Sequence, residues 1–191
     1  MRLRLIEAPA AADPVVTLAE ARTHLEILDT ARDDAIEAWI TAATEQLDGR
    51  AGILGRALVT QKWELLLDTF PCASTIAIPL PPLRTVESIT YVDSDGATQT
   101  LATSVYAVDT ASEPGVVSLK YAQVWPATRC ERNAVSIQFT AGYGAAAVVP
   151  ERLKSAIKLM VGDLFANREA SGDDLKANPA LQALIFPFKV F

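Results

Sequence analysis

The spacing of hydrophobic residues changes character twice along the chain. From Thr17 onward they recur every three or four positions. Thr17-Leu-Ala-Glu20 fits a capping box, in which the hydroxyl and the carboxylate satisfy free N–H groups of a first helical turn. Leu18, Ala21, Leu25 and Leu28 then follow at helical spacing. Asp29-Thr30 punctuates the pattern, and a second helix is predicted from near Arg32, with Asp33 and Asp34 in the first turn where the helix dipole favours acids. Ile36, Trp39, Ile40, Ala43 and Leu47 form one apolar stripe, broken after it by Gly49, Gly52 and Gly55.

The period then shortens to two. Trp63, Leu65 and Leu67 alternate with Lys62, Glu64 and Asp68, and Ile76 and Ile78 mark a short strand that stops at Pro79. Val86–Val92 runs into Asp93-Ser-Asp95-Gly96, a hairpin-turn signal because Asp and Gly tolerate positive φ. Further strands are expected over Tyr106–Val108, Val116–Leu119 and Val135–Thr140. Turn signals this closely spaced suggest a small antiparallel sandwich or barrel.

Helical spacing returns after Pro150. Leu153, Ala156, Ile157, Met160, Val161, Leu164 and Phe165 share a broad apolar face, with Lys154, Lys158 and Asp163 opposite. Ser171-Gly-Asp-Asp174 breaks the pattern, and a short helix is expected from about Pro179. The two long helices need each other to cover their stripes. The expected fold class is therefore α+β: a small helical bundle with an inserted antiparallel β-rich subdomain and an extended apolar C-terminal tail. Residues 1–60 and 143–180 would form the bundle, 61–142 the insertion and 181–191 the tail.

Composition narrows the function classes. Half the residues are hydrophobic and 21% are charged, an ordinary globular balance. The net charge of −6 is concentrated early: residues 1–60 carry 6 basic and 10 acidic side chains, residues 61–149 carry 5 and 8, and residues 150–191 carry 6 and 5. No basic footprint for gripping phosphates is present. No apolar run is long enough for a signal peptide or a membrane span. Cys72 and Cys130 form no CxxC pair, so a reducing compartment is the simpler reading.

A catalytic reading finds little support, and no enzyme activity, metal or cofactor is expected. His24 is the single histidine, mid-helix, and no HExxH, GxSxG or phosphate-binding glycine loop occurs. Asp93-Ser-Asp95-Gly96 lacks the later acidic ligand of a calcium loop. Pro79-Leu-Pro-Pro82-Leu-Arg84 reads as a rigid inter-strand connection rather than a PxxP ligand. Gly142-Tyr-Gly144 is too sparse for nucleotide binding and suits a tight exit from the last strand. Trp63, Tyr91 and Trp125 could line a carbohydrate or small-molecule platform, although aromatics at alternating strand positions are usually core.

Several stretches, taken in order, point to one family. They are TLAEARTHLEI (17–27), ATEQLDGRAG and LVTQKW within 42–63, PPLRTVESITYVDSDG (81–96), VWPATR (124–129), and FTAGYG followed by VPERLKSAIKLMVGDLFANREA (139–170). The chain thereby resembles the head–tail connector, or adaptor, proteins of long-tailed bacteriophages and related gene transfer agents, from about Thr17 to Ala170. The resemblance implies a non-enzymatic virion protein, made in the bacterial host cytoplasm. It would assemble as a homo-oligomeric ring of about twelve copies. That ring would sit beneath the portal protein and extend the DNA channel toward a stopper or tail-completion protein, without membrane contact or specific DNA binding. A stopper or tail-completion role in the same connector is the nearest alternative.

The resemblance also implies that the C-terminal segment engages the portal. The chain ends LIFPFKVF, and burying each such aromatic is worth about 1.5–3 kcal/mol. Leu184, Ile185, Phe186, Phe188, Val190 and Phe191 must therefore fold back on the bundle or enter a neighbour. Pro187 favours an extended segment that can wedge into a groove or add to a sheet edge. Asp33, Asp34 and Glu37 are candidates for an acidic channel surface over which DNA phosphates would slide. Arg168 and Glu169 are candidate subunit contacts.

Overall fold

The computed structural model describes residues 1–10, 13–167 and 178–190. The fold is α+β, with two compact units: Met1–Pro9 with Thr60–Gly142, and Ala10–Val59 with Tyr143–Phe191.

The first unit is built of antiparallel strands. Strands β1 (Arg2–Glu7), β2 (Gln61–Leu67), β4 (Leu83–Val92), β5 (Thr98–Thr100) and β8 (Val135–Ala141) form a five-stranded sheet in the order β1-β2-β8-β4-β5. Strands β3 (Thr75–Ile78), β6 (Tyr106–Asp109) and β7 (Gly115–Leu119) form a second sheet in the order β3-β7-β6. Register follows the hydrophobic alternation, because a one-residue slip would turn every apolar side chain to the wrong face. Trp63 pairs with Phe139 and Leu65 with Ile137, while Val86 and Ile89 of β4 meet the same two residues from the other side. The sheets approach closely where Gly115 of β7 meets Leu83: an added Cβ would lie 2.5 Å from its side chain. Asp93–Gly96 is the β4–β5 hairpin turn, with Gly96 at φ 90° and Asp93 Oδ1 accepting from the N–H groups of Asp95 and Ala97.

Strand β1 corrects the expectation that residues 1–60 all belong to the helical bundle. Arg2-Leu-Arg-Leu is itself a period-two signal, and the strand is tied to β2 by an ion pair of 2.6 Å between Arg4 and the buried Glu64. Glu64 also accepts from the Ser136 hydroxyl at 2.7 Å, so its charge is paired within the sheet.

The second unit holds helices α1 (Leu18–His24), α2 (Asp33–Leu47), α3 (Glu151–Ala166) and α4 (Pro179–Ile185). Its core combines Ile36, Ile40, Ala43 and Leu47 of α2 with Leu153, Ala156, Ile157, Met160 and Val161 of α3. Trp39 and Phe165 meet edge to face at 6.0 Å. Helix α1 starts at the expected capping box, with the Thr17 N–H and hydroxyl donating to Glu20 and the Glu20 N–H returning to Thr17 Oγ1.

Two expectations about these helices are corrected. Leu28 does not continue the α1 stripe but is 96% exposed. The helix stops at His24 because Glu26 adopts φ 58°, and the N–H groups of Glu26 and Ile27 return to the carbonyls of Thr23 and Arg22. This is a Schellman closure with glutamate where glycine is usual. Lys154 does not lie on a solvated face but is buried, its ammonium donating to Glu151 at 3.0 Å and to the Ala147 carbonyl at 3.4 Å.

Candidate interaction site at the C-terminal segment

The apolar C-terminus is built from its cap upward. Asn178 accepts from the N–H groups of Ala180 and Leu181, and Pro179 occupies the first helical turn where a missing N–H costs nothing. Asn178 also donates to Asp163 of α3 at 3.3 Å. The short helix α4 then buries Leu181 and Ile185 in the bundle core, with Leu184 packed at its margin. Phe186–Phe188 continues as a 3₁₀ turn. The expectation of an extended tail is thereby corrected for the described residues. Pro187 sits in the first turn of this 3₁₀ segment, a position its fixed φ suits, so it does not break the helical course.

Beyond the turn the chain is fastened by the α2–β2 connection. Arg56, 4% exposed, donates through Nε to the Phe188 carbonyl at 2.7 Å and through Nη1 to the Tyr143 hydroxyl at 2.6 Å. Its guanidinium also lies over the rings of Tyr143 and Phe188, at 5.7 and 5.8 Å. The planar fork suits this combined bonding and stacking. The Val190 N–H donates to the Leu54 carbonyl at 2.9 Å, and an added Cβ on Gly55 would meet the Val190 side chain at 3.6 Å. The arginine's own loop is held too: Gly49 donates to the Arg56 carbonyl, and Asp48 Oδ1 accepts from Leu58.

Of the tail residues named from sequence, Leu184, Ile185, Phe188 and Val190 pack partly or wholly on their own unit. Phe186 is 64% exposed and Pro187 is exposed beside it, so together they form an outward apolar corner on a fixed base. Phe191 lies outside the described residues, as do Arg168 and Glu169. Among the three acids, Asp34 and Glu37 are exposed on α2, whereas Asp33 is partly buried with Arg22 Nε 3.6 Å from its Oδ1. The three are thus not equivalent.

The three aromatics weighed as a platform or as core do not form one surface. Trp63 is buried, its indole donating to Gln61. Tyr91 and Trp125 do come together, but around Phe70: Trp125 stacks on it at 5.0 Å and Tyr91 meets it edge-on at 5.8 Å. The Trp125 indole donates to the Ala73 carbonyl, so the cluster cements two loops. Asp93 is held below the usual carboxylate range, first by the Gln99 side-chain amide and then by the Ala97 N–H, which makes it a turn-former. Cys72 and Cys130 are free and exposed. Among the described residues, no cluster of His, Cys, Asp or Glu could hold a metal ion, and no helix is long and apolar enough to cross a membrane.

Arg56, which fastens the C-terminal segment, is the residue that sequence reasoning missed. Its signal was a lone charge inside the apolar run Leu54-Gly-Arg-Ala-Leu-Val59, since an arginine in such company is buried only with partners.

Comparison with known proteins bears on the fold as a whole. No protein-family profile matches the chain, and no curated protein matches it. A chain from the neck of an empty gene transfer agent particle, computed with C6 symmetry, superposes with a TM-score of 0.77 at 25% identity. That alignment covers 100% of this chain and 96% of the other. A chain from the neck of a native particle computed with C12 symmetry gives 0.71 at 25% identity, with the same coverage. A chain from the virion of a native gene transfer agent particle gives 0.79 at 23% identity, which shows a shared fold. From end to end, then, this chain is similar to chains of the neck and virion of gene transfer agent particles.

Proposed function

We propose that this protein is a structural subunit of a head–tail connector in a phage or gene transfer agent, acting as the adaptor ring beneath the portal. The observation that carries the reading is the end-to-end likeness to neck chains at 25% identity, over 100% of this chain. The C6 and C12 symmetries of those reconstructions support a ring, with about twelve copies as its size. In this reading the protein does no chemistry. Lateral contacts close the ring, one face meets the portal, and the opposite face receives a stopper or tail-completion protein. Asp34 and Glu37 line the DNA channel, where like charge keeps phosphates from adhering.

The portal contact is assigned to the Phe186–Pro187 corner and the residues that follow it. Phe186 is 64% exposed in a segment where Leu184, Ile185, Phe188 and Val190 pack partly or wholly on their own unit. Each copy contributes a small anchor, and a ring multiplies it through avidity. The test is co-sedimentation with portal rings encoded alongside this protein, using full-length chain and Phe186→Ser. Full-length chain that pellets with portal, with at least tenfold weaker binding by Phe186→Ser, supports both parts. Equal binding by the two moves the contact elsewhere, and binding by neither removes the adaptor role in favour of a stopper or tail-completion role.

A further inference from the structure

The most exposed large apolar side chains among the described residues are Tyr121 at 98%, Leu28 at 96% and Val124 at 78%. They lie on two connections, and both connections are rigidly built. Tyr121 and Val124 stand on the β7–β8 connection. Lys120 fastens it by donating from its N–H to the Val105 carbonyl and from its ammonium to the Thr103 carbonyl. Ala122 adopts φ 59°, and the Gln123 N–H closes the turn on the Lys120 carbonyl. Trp125, stacked on Phe70, pins the loop one residue beyond Val124. Ala122 is thus held in the left-handed region, uncommon for a residue other than glycine, directly after the exposed Tyr121.

Leu28 belongs to a shallow hollow of about 590 Å³ lined by Ala19, Arg22, Thr23, Glu26, Ile27 and Leu28. This surface is equally fixed. The Schellman closure at Glu26 sets Ile27 and Leu28, and Arg22 Nη2 donates to the carbonyls of Leu28 and Asp29. The charge of Arg22 is thereby turned inward, toward those carbonyls and Asp33. The charges next to the two surfaces differ in sign: Lys120 adjoins Tyr121, whereas Glu26 lines the hollow and Asp29 adjoins Leu28. Residues 120–132 carry three basic side chains and one acid, on a chain of net charge −6. Residues 17–37 carry six acids and two arginines.

We infer that Tyr121 and Val124 of one copy seat on Leu28 in the α1 hollow of the next copy, a contact that rests on the ring reading above. Because the two surfaces are unlike, the contact is head-to-tail and leaves one knob and one hollow open at every stage until a ring closes. A tyrosine packing on the exposed Leu28 and on a hollow of mixed lining, with Arg22, Thr23 and Glu26 beside Ala19 and Ile27, combines apolar contact with polar partners for its hydroxyl. Two preformed surfaces lose little freedom on meeting. The opposite charges steer the approach and weaken with salt.

The test uses thiol trapping in full-length protein carrying Cys72→Ser and Cys130→Ser, with portal rings present. Leu28→Cys and Tyr121→Cys are made separately and together, at positions too exposed to disturb folding. Under mild oxidation, a mixture of the two single variants gives a heterodimer and nothing longer. The double variant gives a ladder of increasing size, and neither single variant dimerises alone. Raising the salt concentration lowers the heterodimer yield. Protein that sediments with portal without heterodimer overturns this contact and leaves the neck role standing. Heterodimer without portal sedimentation supports the contact and counts against the adaptor role. A Tyr121→Cys homodimer overturns the head-to-tail arrangement, and failure of both readouts overturns both ideas.

Discussion

Replacing Arg56 by Met would take from the Phe188 carbonyl and the Tyr143 hydroxyl a charged donor that reaches both inside one unit. Hydrogen bonds to charged groups are worth about 1.5–3 kcal/mol each, so urea unfolding of Arg56→Met should show a loss of at least that size. Arg56→Lys should recover little of it, because one ammonium cannot reproduce the fork and its two ring contacts. Glu20 offers a pH test. Its carboxyl is held below its ordinary value of 4.5, first by the Thr17 N–H and then by the Thr17 hydroxyl. A carboxyl with a lowered native pKa stabilises the fold above its unfolded pKa, and that contribution is lost as pH falls through the native value. The stability advantage of the natural chain over Glu20→Gln should therefore hold at neutral pH and shrink below about 4.5, as followed by thermal unfolding at a series of pH values. At this scale the sequence spoke unevenly. Thr17 and Glu20 lie three residues apart and announce their bond, whereas the partners of Arg56 are Tyr143 and Phe188, which only the folded chain brings near.

Helix α4 shows what an element's packing does to a functional hypothesis. Leu181 and Ile185 are buried with α3 in the bundle core, so removing residues 181–191 would strip core as well as tail. Ile185→Ala should cost about 2–5 kcal/mol by loss of burial and cavity formation. Phe186→Ser, one residue later but 64% exposed, should change stability by less than about 0.5 kcal/mol. Guanidinium unfolding of the two variants side by side checks this contrast, and it separates stability from any docking defect. Elements with a strong period were legible in advance. The stripe from Ile36 to Leu47 and the alternation of Val135, Ile137 and Phe139 lie where expected. Strand β5 was not legible, because Thr98-Gln-Thr carries no apolar alternation and pairs only through its hairpin with β4. The end of α1 was misread for a different reason. Leu28 keeps helical spacing, but Glu26 in the left-handed region stops the helix before it.

For the whole molecule, the α+β class and the helix–strand–helix order follow from the periods alone, since each amphipathic surface needs a partner. Strand β1 departs from that order: an N-terminal segment joins a sheet whose next strand begins more than fifty residues later. Long-range pairing of this kind leaves only a local alternation in sequence, with nothing to name its partner. The apolar C-terminus was legible as an anomaly, while the division into packed Ile185 and outward Phe186 required the fold. The central claim is that this chain is a ring subunit at the portal of a phage-like particle. Cryo-electron microscopy of its cognate portal rings, incubated with the purified protein, tests that claim most directly. The account predicts a continuous ring of added density on the tail-side face of the portal, into which both units fit, with α4 next to the portal. Undecorated portal rings at saturating protein concentration would contradict it.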